Sequence, residues 1–256
     1  MIDLRACSGF DELEACVQLQ IETWEMDASE IFPRKAFLLA QKIGGQVIGA
    51  FDTDIDGGPD SLIGFVLSWP GAKTMDGVSQ PYLHSHMLAV RESYRNRGVG
   101  ARLKLAQRSE ALSRGIRRME WTFDPLEIKN AFLNIHKLGA ISRRYEVNFY
   151  GVSSSRLQGG LPTDRLVAEW QLDSPRVMAA AEGSRTAELN IEERILVPAS
   201  IYEWKASEAG RERALAVQLE NRAKFLNAFA RGLAVVGFSR DAEGNGVFEL
   251  GPLAGI

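Results

Sequence analysis

The chain has 256 residues, 45% hydrophobic and 25% charged, proportions that exclude a mostly disordered chain and allow one or two domains with a sizeable core. Thirty basic and 33 acidic residues give a net charge of −3, which excludes a broadly cationic nucleic-acid binder. Cys7 and Cys16 are too few for a disulfide framework, no run of about 18 apolar residues exists, and residues 1–5 form no export-type apolar stretch, so a cytoplasmic protein with no membrane partner is expected.

Residues 2–6 read as a strand, and Asp11 as the cap of a helix to about Trp24 with Leu13, Cys16, Val17 and Ile21 on its apolar side. Pro33 opens a second helix that ends near Gly44-Gly45. Residues 46–53 and 61–68 predict strands joined by the Gly- and Pro-containing loop 54–60. A strand over 82–90, a helix over 98–112 and a strand over 118–123 follow. Ile128, Phe132, Ile135 and Leu138 repeat at helical spacing within a helix expected over 126–138. Residues 144–150 and 165–172 read as strands, and 173–190 as a connector. Beyond it, 195–197 predicts a strand and Ser200-x-x-Glu203 a capping box. A helix over 207–231 carries Leu215, Leu219, Ala223, Leu226 and Phe229 along one side, before a hairpin of 233–238 and 246–250. The pattern is α/β, and no internal repeat interrupts it.

The charge is uneven. Residues 91–118 hold nine Arg/Lys and two Glu, a net of +7, while the remaining 21 basic and 31 acidic residues give −10. A local cationic focus suits a small polyanion, and a solvated basic helix face accounts for it equally well. Within it, Leu88-Ala89-Val90-Arg91-Glu92-Ser93-Tyr94-Arg95-Asn96-Arg97-Gly98-Val99-Gly100-Ala101 links a strand to a helix. Two glycines let backbone approach a ligand, and the free N–H groups and dipole of a helix start favour an anion. Arg95, Arg97 and Arg102 add charge. A P-loop is excluded because Gly-Ala-Arg stands where Gly-Lys-Ser/Thr is needed, and a Rossmann fingerprint because Leu103 replaces its third glycine.

Arg95-x-x-Gly98-x-Gly100, with the strand before it and the helix after it, resembles the CoA-pyrophosphate loop of the GNAT acyltransferase superfamily. The order of elements over residues 1–172 is similar to that family's, as are Asn130-Ala131 and Lys137-Leu138-Gly139-Ala140. Runs such as Trp-Thr-Phe-Asp-Pro-Leu at 121–126 and Gly-Leu-Pro-Thr-Asp-Arg at 160–165 resemble a bacterial group of predicted GNAT acetyltransferases. The resemblance implies a GNAT fold, a mixed central sheet flanked by helices, over 1–172, with 191–256 as a C-terminal α/β extension. It implies acetyl-CoA, or succinyl-CoA or another acyl-CoA, held by residues 95–101, by the backbone of Leu88, Ala89 and Val90, and by Asn130 and Asn134.

His84-Ser85-His86-Met87-Leu88-Ala89-Val90 is similar to the His-x-His strand of arylalkylamine N-acetyltransferases. Two residues apart on a strand, His84 and His86 share a face. An ammonium cannot attack a thioester, so a base titrating near neutral pH removes that obstacle; a hydrogen-bonded core pair is the alternative. The position where many GNAT enzymes carry an acidic Tyr holds Ile135, which leaves Tyr145 and Tyr150 as candidate acids. Arg143, Arg144 and Arg165 are candidates to hold a substrate carboxylate, and Asp124 and Asp164 an ammonium. No Cys/His cluster has metal spacing.

The expected activity is acyl transfer, acetyl by default, to a small-molecule amine or amino acid by direct attack. N-succinylation of amino acids and a non-catalytic CoA-binding sensor are the alternatives, and a homodimer is compatible with either. Residues 191–256 are expected to pack on the core or on a partner subunit and to border the acceptor site.

Overall fold

A computed structural model describes residues 1–55, 58–75, 77–184 and 189–253. It forms two compact units, Met1–Glu120 and Trp121–Ile256, so the boundary expected at 172 lies inside the second.

The first unit runs β1 (Ile2–Ala6), α1 (Gly9–Trp24), α2 (Arg34–Lys42), β2 (Gln46–Asp52), β3 (Leu62–Met75), β4 (Val78–Val90) and α3 (Val99–Ser113), then enters β5 (Arg118–Phe123), which crosses the division. The strands are hydrogen-bonded in the order β1-β2-β3-β4-β5. All neighbours are antiparallel except β4 and β5, which are parallel, so the sheet is mixed. Val47, Leu62, Phe65 and Leu67 lie on one face, where they pack with Leu13, Cys16 and Leu19 of α1 and Phe37 of α2; Leu62 and Phe65, three apart, share it because β3 carries an extra residue opposite Ala50-Phe51. Ile48, Ile63 and Val66 go to the other, against Val99 and Leu103 of α3. Helices thus flank the sheet on both sides.

Several local expectations shift. Helix α1 starts at Gly9, so Asp11 lies in the first turn rather than at the cap, where its charge suits the helix dipole. The strands expected over 61–68 and 82–90 are longer and pair out to Met75↔Val78. Pro70, Gly71 and Pro81 lie in the added lengths, and antiparallel pairing carries through all three.

In the second unit, β5 continues into α4 (Ile128–Ala131), which passes into a π-helical stretch, Phe132–Lys137. There Leu138 N donates to Leu133 O at 3.0 Å, the wide i→i+5 pattern, where a uniform helix had been expected. Next come β6 (Tyr145–Glu146), β7 (Arg165–Gln171), α5 (Pro175–Ala181), β8 (Glu193–Val197), α6 (Ile201–Ala206), α7 (Arg211–Ala230), β9 (Leu233–Arg240) and β10 (Gly246–Pro252). The sheet orders are β5-β7-β6 and β8-β10-β9.

The strand expected over 144–150 is only Tyr145–Glu146, because Asn148 turns the chain at φ 49°. The connector contains α5, whose Ser174 Oγ accepts from Val177 N; its residues 185–188 lie outside the described set. Ser200 makes no side-chain cap, and the helix expected over 207–231 begins at Arg211. Its buried stripe is Ala214, Gln218, Asn221, Phe225 and Ala228, not the leucine side, since Leu219 and Leu226 are exposed. Gln218 and Asn221 can be buried because their amides donate to Pro162 O and Leu196 O. Phe225, Phe238 and Phe248 interlock edge to face at the centre of this core.

Candidate active site

Leu67 pairs with Met87, but Ser68 pairs with Ser85, so His86 is an extra residue in β4, a β-bulge. The bulge breaks the alternation. Ser85 meets Lys104 and Gln107 of α3, while His86 and Met87 both lie on the α1/α2 side. His84 pairs across the strand with Trp69, which packs on that same cluster beside Phe32 and Trp24. The imidazoles of His84 and His86 stand 6.1 Å apart, and Phe32 packs 4.6 Å from His86. Burial lowers His86 from 6.5 to about 4, with a smaller push from His84. Burial also lowers His84, outweighing the opposing pull of Glu120. Both rings are therefore neutral proton acceptors near neutral pH.

Glu120, which sequence reasoning passed over, lies opposite His84 in the parallel β4/β5 ladder. Its carboxylate is buried and paired with Lys73, with Arg118 at 3.9 Å. The signal was weak: a charged residue inside an apolar strand. The ladder consists of Leu83↔Met119 and His84↔Glu120, so no β5 pairing follows along Leu88–Val90.

At the end of β4 the chain makes a turn and enters α3. Asn96 and Gly98 take left-handed φ of 61° and 77°, with Gly98 at the N-cap. The helix's first backbone bond runs from Arg102 N to Gly98 O, so the amides ahead of it are not used inside the helix. Arg95, Arg97 and Arg102 are exposed here. Arg95 Nε also donates to Val90 O at 3.0 Å and Arg102 to Ile2 O at 3.0 Å, ties that brace the loop against the sheet. Not every charge of the +7 segment serves it. Lys104 is buried with its pKa driven well below 10.5, and Arg114 pairs with Glu110.

The candidates in the second unit fare differently. Asn130 is exposed and Asn134 buried on the π-helical stretch. His136 stacks on Phe132 at 4.4 Å, a structural contact. The Tyr145 hydroxyl donates to Asp164 at 2.7 Å, and burial together with that bond raises its pKa. Tyr145 is thus a poor proton donor to anything else, which corrects its candidacy. Tyr150 is exposed, with its hydroxyl 3.0 Å from Thr122 Oγ1. Arg143 and Arg144 both pair with the buried Glu169, and Arg165 donates to Asp164 O and Gln158 Oε1, so internal partners take the place of a substrate carboxylate. Asp124 holds Lys205 at 2.8 Å and Asp164 holds Arg222; each binds a cation of the chain itself rather than a ligand's ammonium. None of the described helices is long and apolar enough to cross a membrane.

Residues 11–134 match the model of the acetyltransferase (GNAT) family. No curated protein matches the chain. Among solved structures it is similar to NAA60 of Arabidopsis thaliana in complex with acetyl-CoA, with TM-score 0.55 and 18% identity over 68% of this chain and 100% of that one. It is also similar to an aminoglycoside 6′-acetyltransferase type Ii, with TM-score 0.51 and 17% identity over 68% and 98%. The ribosomal-protein-S18-alanine N-acetyltransferase of Escherichia coli aligns with TM-score 0.50 and 13% identity over 75% and 100%. Identities this low speak for the fold alone, and the family match adds that residues 11–134, just under half of the chain, carry the signature of the GNAT family of acetyltransferases.

Proposed function

We propose that the protein is an acyl-CoA-dependent N-acyltransferase, acetyl by default, whose acceptor is the amine of a small molecule. The observation that carries this reading is the bulged β4 strand, which holds two neutral imidazoles against Phe32 and Trp69. A base that is unprotonated at working pH is what an ammonium acceptor needs.

The residues present fit acyl-CoA. Its phosphates suit the N-terminus of α3, where the glycine-led turn leaves amides uncommitted and three exposed arginines gather. Arg95, Asn96, Arg97, Gly98, Val99, Gly100 and Ala101 would hold them, with the backbone of Leu88, Ala89 and Val90 receiving the pantetheine arm. When bound, acyl-CoA supplies an activated thioester. His84 or His86 takes the acceptor's proton.

The test is thiol release and product mass spectrometry with acetyl-CoA and succinyl-CoA against pooled amines, amino acids and an N-terminal peptide. Turnover on a small amine supports the proposal. Turnover on the peptide alone overturns the acceptor class, and preference for succinyl-CoA overturns the acetyl default. Calorimetric CoA binding without release on any acceptor would support a sensor instead.

A further inference from the structure

On the acceptor side of the sheet a line of residues leads outward from His84 along the β3–β4 hairpin. His84 pairs with Trp69, Tyr82 with Gly71, and Gln80 with Lys73, so the members of these pairs share one face. Gly71 is needed for this arrangement: a Cβ there would lie 2.5 Å from Cε1 of Tyr82, so the ring lies across the glycine. Lys73 crosses that ring with Nζ 4.9 Å from its centroid. It ends on Glu120, in register with His84. The Glu120 side chain is 5% exposed and that of Lys73 32%: a sunken carboxylate closed by a primary amine on a flexible stem.

Resting on the acyltransferase reading above, we propose that Lys73 occupies the acceptor's place in the free protein and is itself an acylation site. A carboxylate beside a neutral imidazole is what an external alkylammonium would require, and Lys73 presents that group from within the chain. The Lys73 ammonium gives up one proton by way of His84 to solvent and a second to the departing thiolate. One N–C bond forms at Nζ and one C–S bond breaks, leaving an amide and a free thiol. Acyl-Lys73 is neutral and no longer pairs with Glu120. The carboxylate, still with Arg118 at 3.9 Å, then has its Lys73 side open to an external primary ammonium, the class of acceptor this site takes.

The protein is incubated with acetyl-CoA alone and its peptides are mapped by mass spectrometry. Exposed Lys35 and Lys129 gauge the uncatalysed reaction. Lys73 is expected to gain one acetyl group about tenfold faster than either, and Gly100→Glu, which spoils the donor loop, is expected to remove that excess. Without any donor, acetylation by an N-hydroxysuccinimide ester reads the ion pair directly. Lys73 should label several-fold more slowly than Lys35, and Glu120→Gln should speed it. Lys73 acetylation no faster than the references, in protein that binds acetyl-CoA by calorimetry and turns over an external amine, overturns this inference and leaves the proposed function standing. No acetyl-CoA binding overturns both. Equal ester labelling of Lys73 in wild type and Glu120→Gln overturns the pairing on which the inference rests.

Discussion

Arg222 grips Asp164 through two parallel hydrogen bonds, Nε to Oδ2 at 2.8 Å and a terminal nitrogen to Oδ1 at 3.0 Å. Asp164 is fully buried and also accepts from the Tyr145 hydroxyl and from Asn148 N. A helix of the C-terminal 84 residues therefore neutralises a charge that belongs to the turn before β7. Removing one partner of such a pair leaves an uncompensated charge and costs about 3–5 kcal/mol. Arg222→Ala is expected to lower urea-unfolding stability by that order. A chain ending at residue 172 loses the same partner and much of the phenylalanine core, and is expected to be insoluble. A soluble, fully active truncation would refute this account.

His86 makes stability depend on pH in a definite direction. Its folded pKa, about 4, lies below the ordinary 6.5, so between these values the unfolded chain binds a proton that the folded one refuses. Stability from this residue is complete above pH 6.5 and falls as pH drops towards 4. At about 1.4 kcal/mol per pH unit, the loss is about 3 kcal/mol. His86→Gln should flatten unfolding free energy across that window.

The same lowering bears on the base role proposed for the two histidines. Because both imidazoles are already neutral, the acid limb of kcat/KM is expected below pH 6.5. His84→Ala and His86→Ala together should lower kcat by a factor of about 10² or more, the usual worth of a general base. Full activity in the double variant would end the base assignment.

The turn into α3 can be probed in two ways. Gly98 has φ 77°, with nothing within 4 Å of an added Cβ. Gly98→Ala therefore meets backbone strain without a clash and should cost about 1 kcal/mol in stability. Gly100→Glu sets a carboxylate at a helix start that favours anions and should weaken acetyl-CoA binding by about tenfold or more. Calorimetry separates the two, since the first is read in unfolding and the second in affinity.

Cys7 and Cys16 are buried with their sulfurs 3.8 Å apart. The hydrogen bond with Cys7, and then burial, raise the Cys16 thiol's pKa. Ellman's reagent is expected to find both thiols unreactive in the native protein and two reactive thiols after unfolding.

Local chemistry made much of this molecule readable in advance. Short apolar runs bounded by turn residues marked β2 and β3, Gly98 marked the start of α3, and a pair of histidines two apart drew attention to one strand. What escaped was set by contacts between distant residues. Leu219 and Leu226 form the more apolar side of α7, yet the buried side carries Gln218 and Asn221, because the carbonyls of Pro162 and Leu196 require donors. Arg143 and Arg144 looked available for a ligand until Glu169, 25 or more positions away, claimed them. The partnership of Lys73 with Glu120 spans 47 positions and leaves no local trace.

The one-residue surplus in β4 has a practical meaning for protein engineering. In a strand of unbroken alternation, His84 and His86 would project to the same side as Leu88 and Val90, and Met87 and Ala89 to the other. The surplus acts as a phase shifter, so that Leu88 and Val90 serve the α3 side while both imidazoles serve the opposite one. A graft that copied the seven residues from His84 to Val90 onto a straight strand would carry the letters and lose their placement. The mismatch between Leu67-Ser68 and Ser85-His86-Met87 must be transplanted with them.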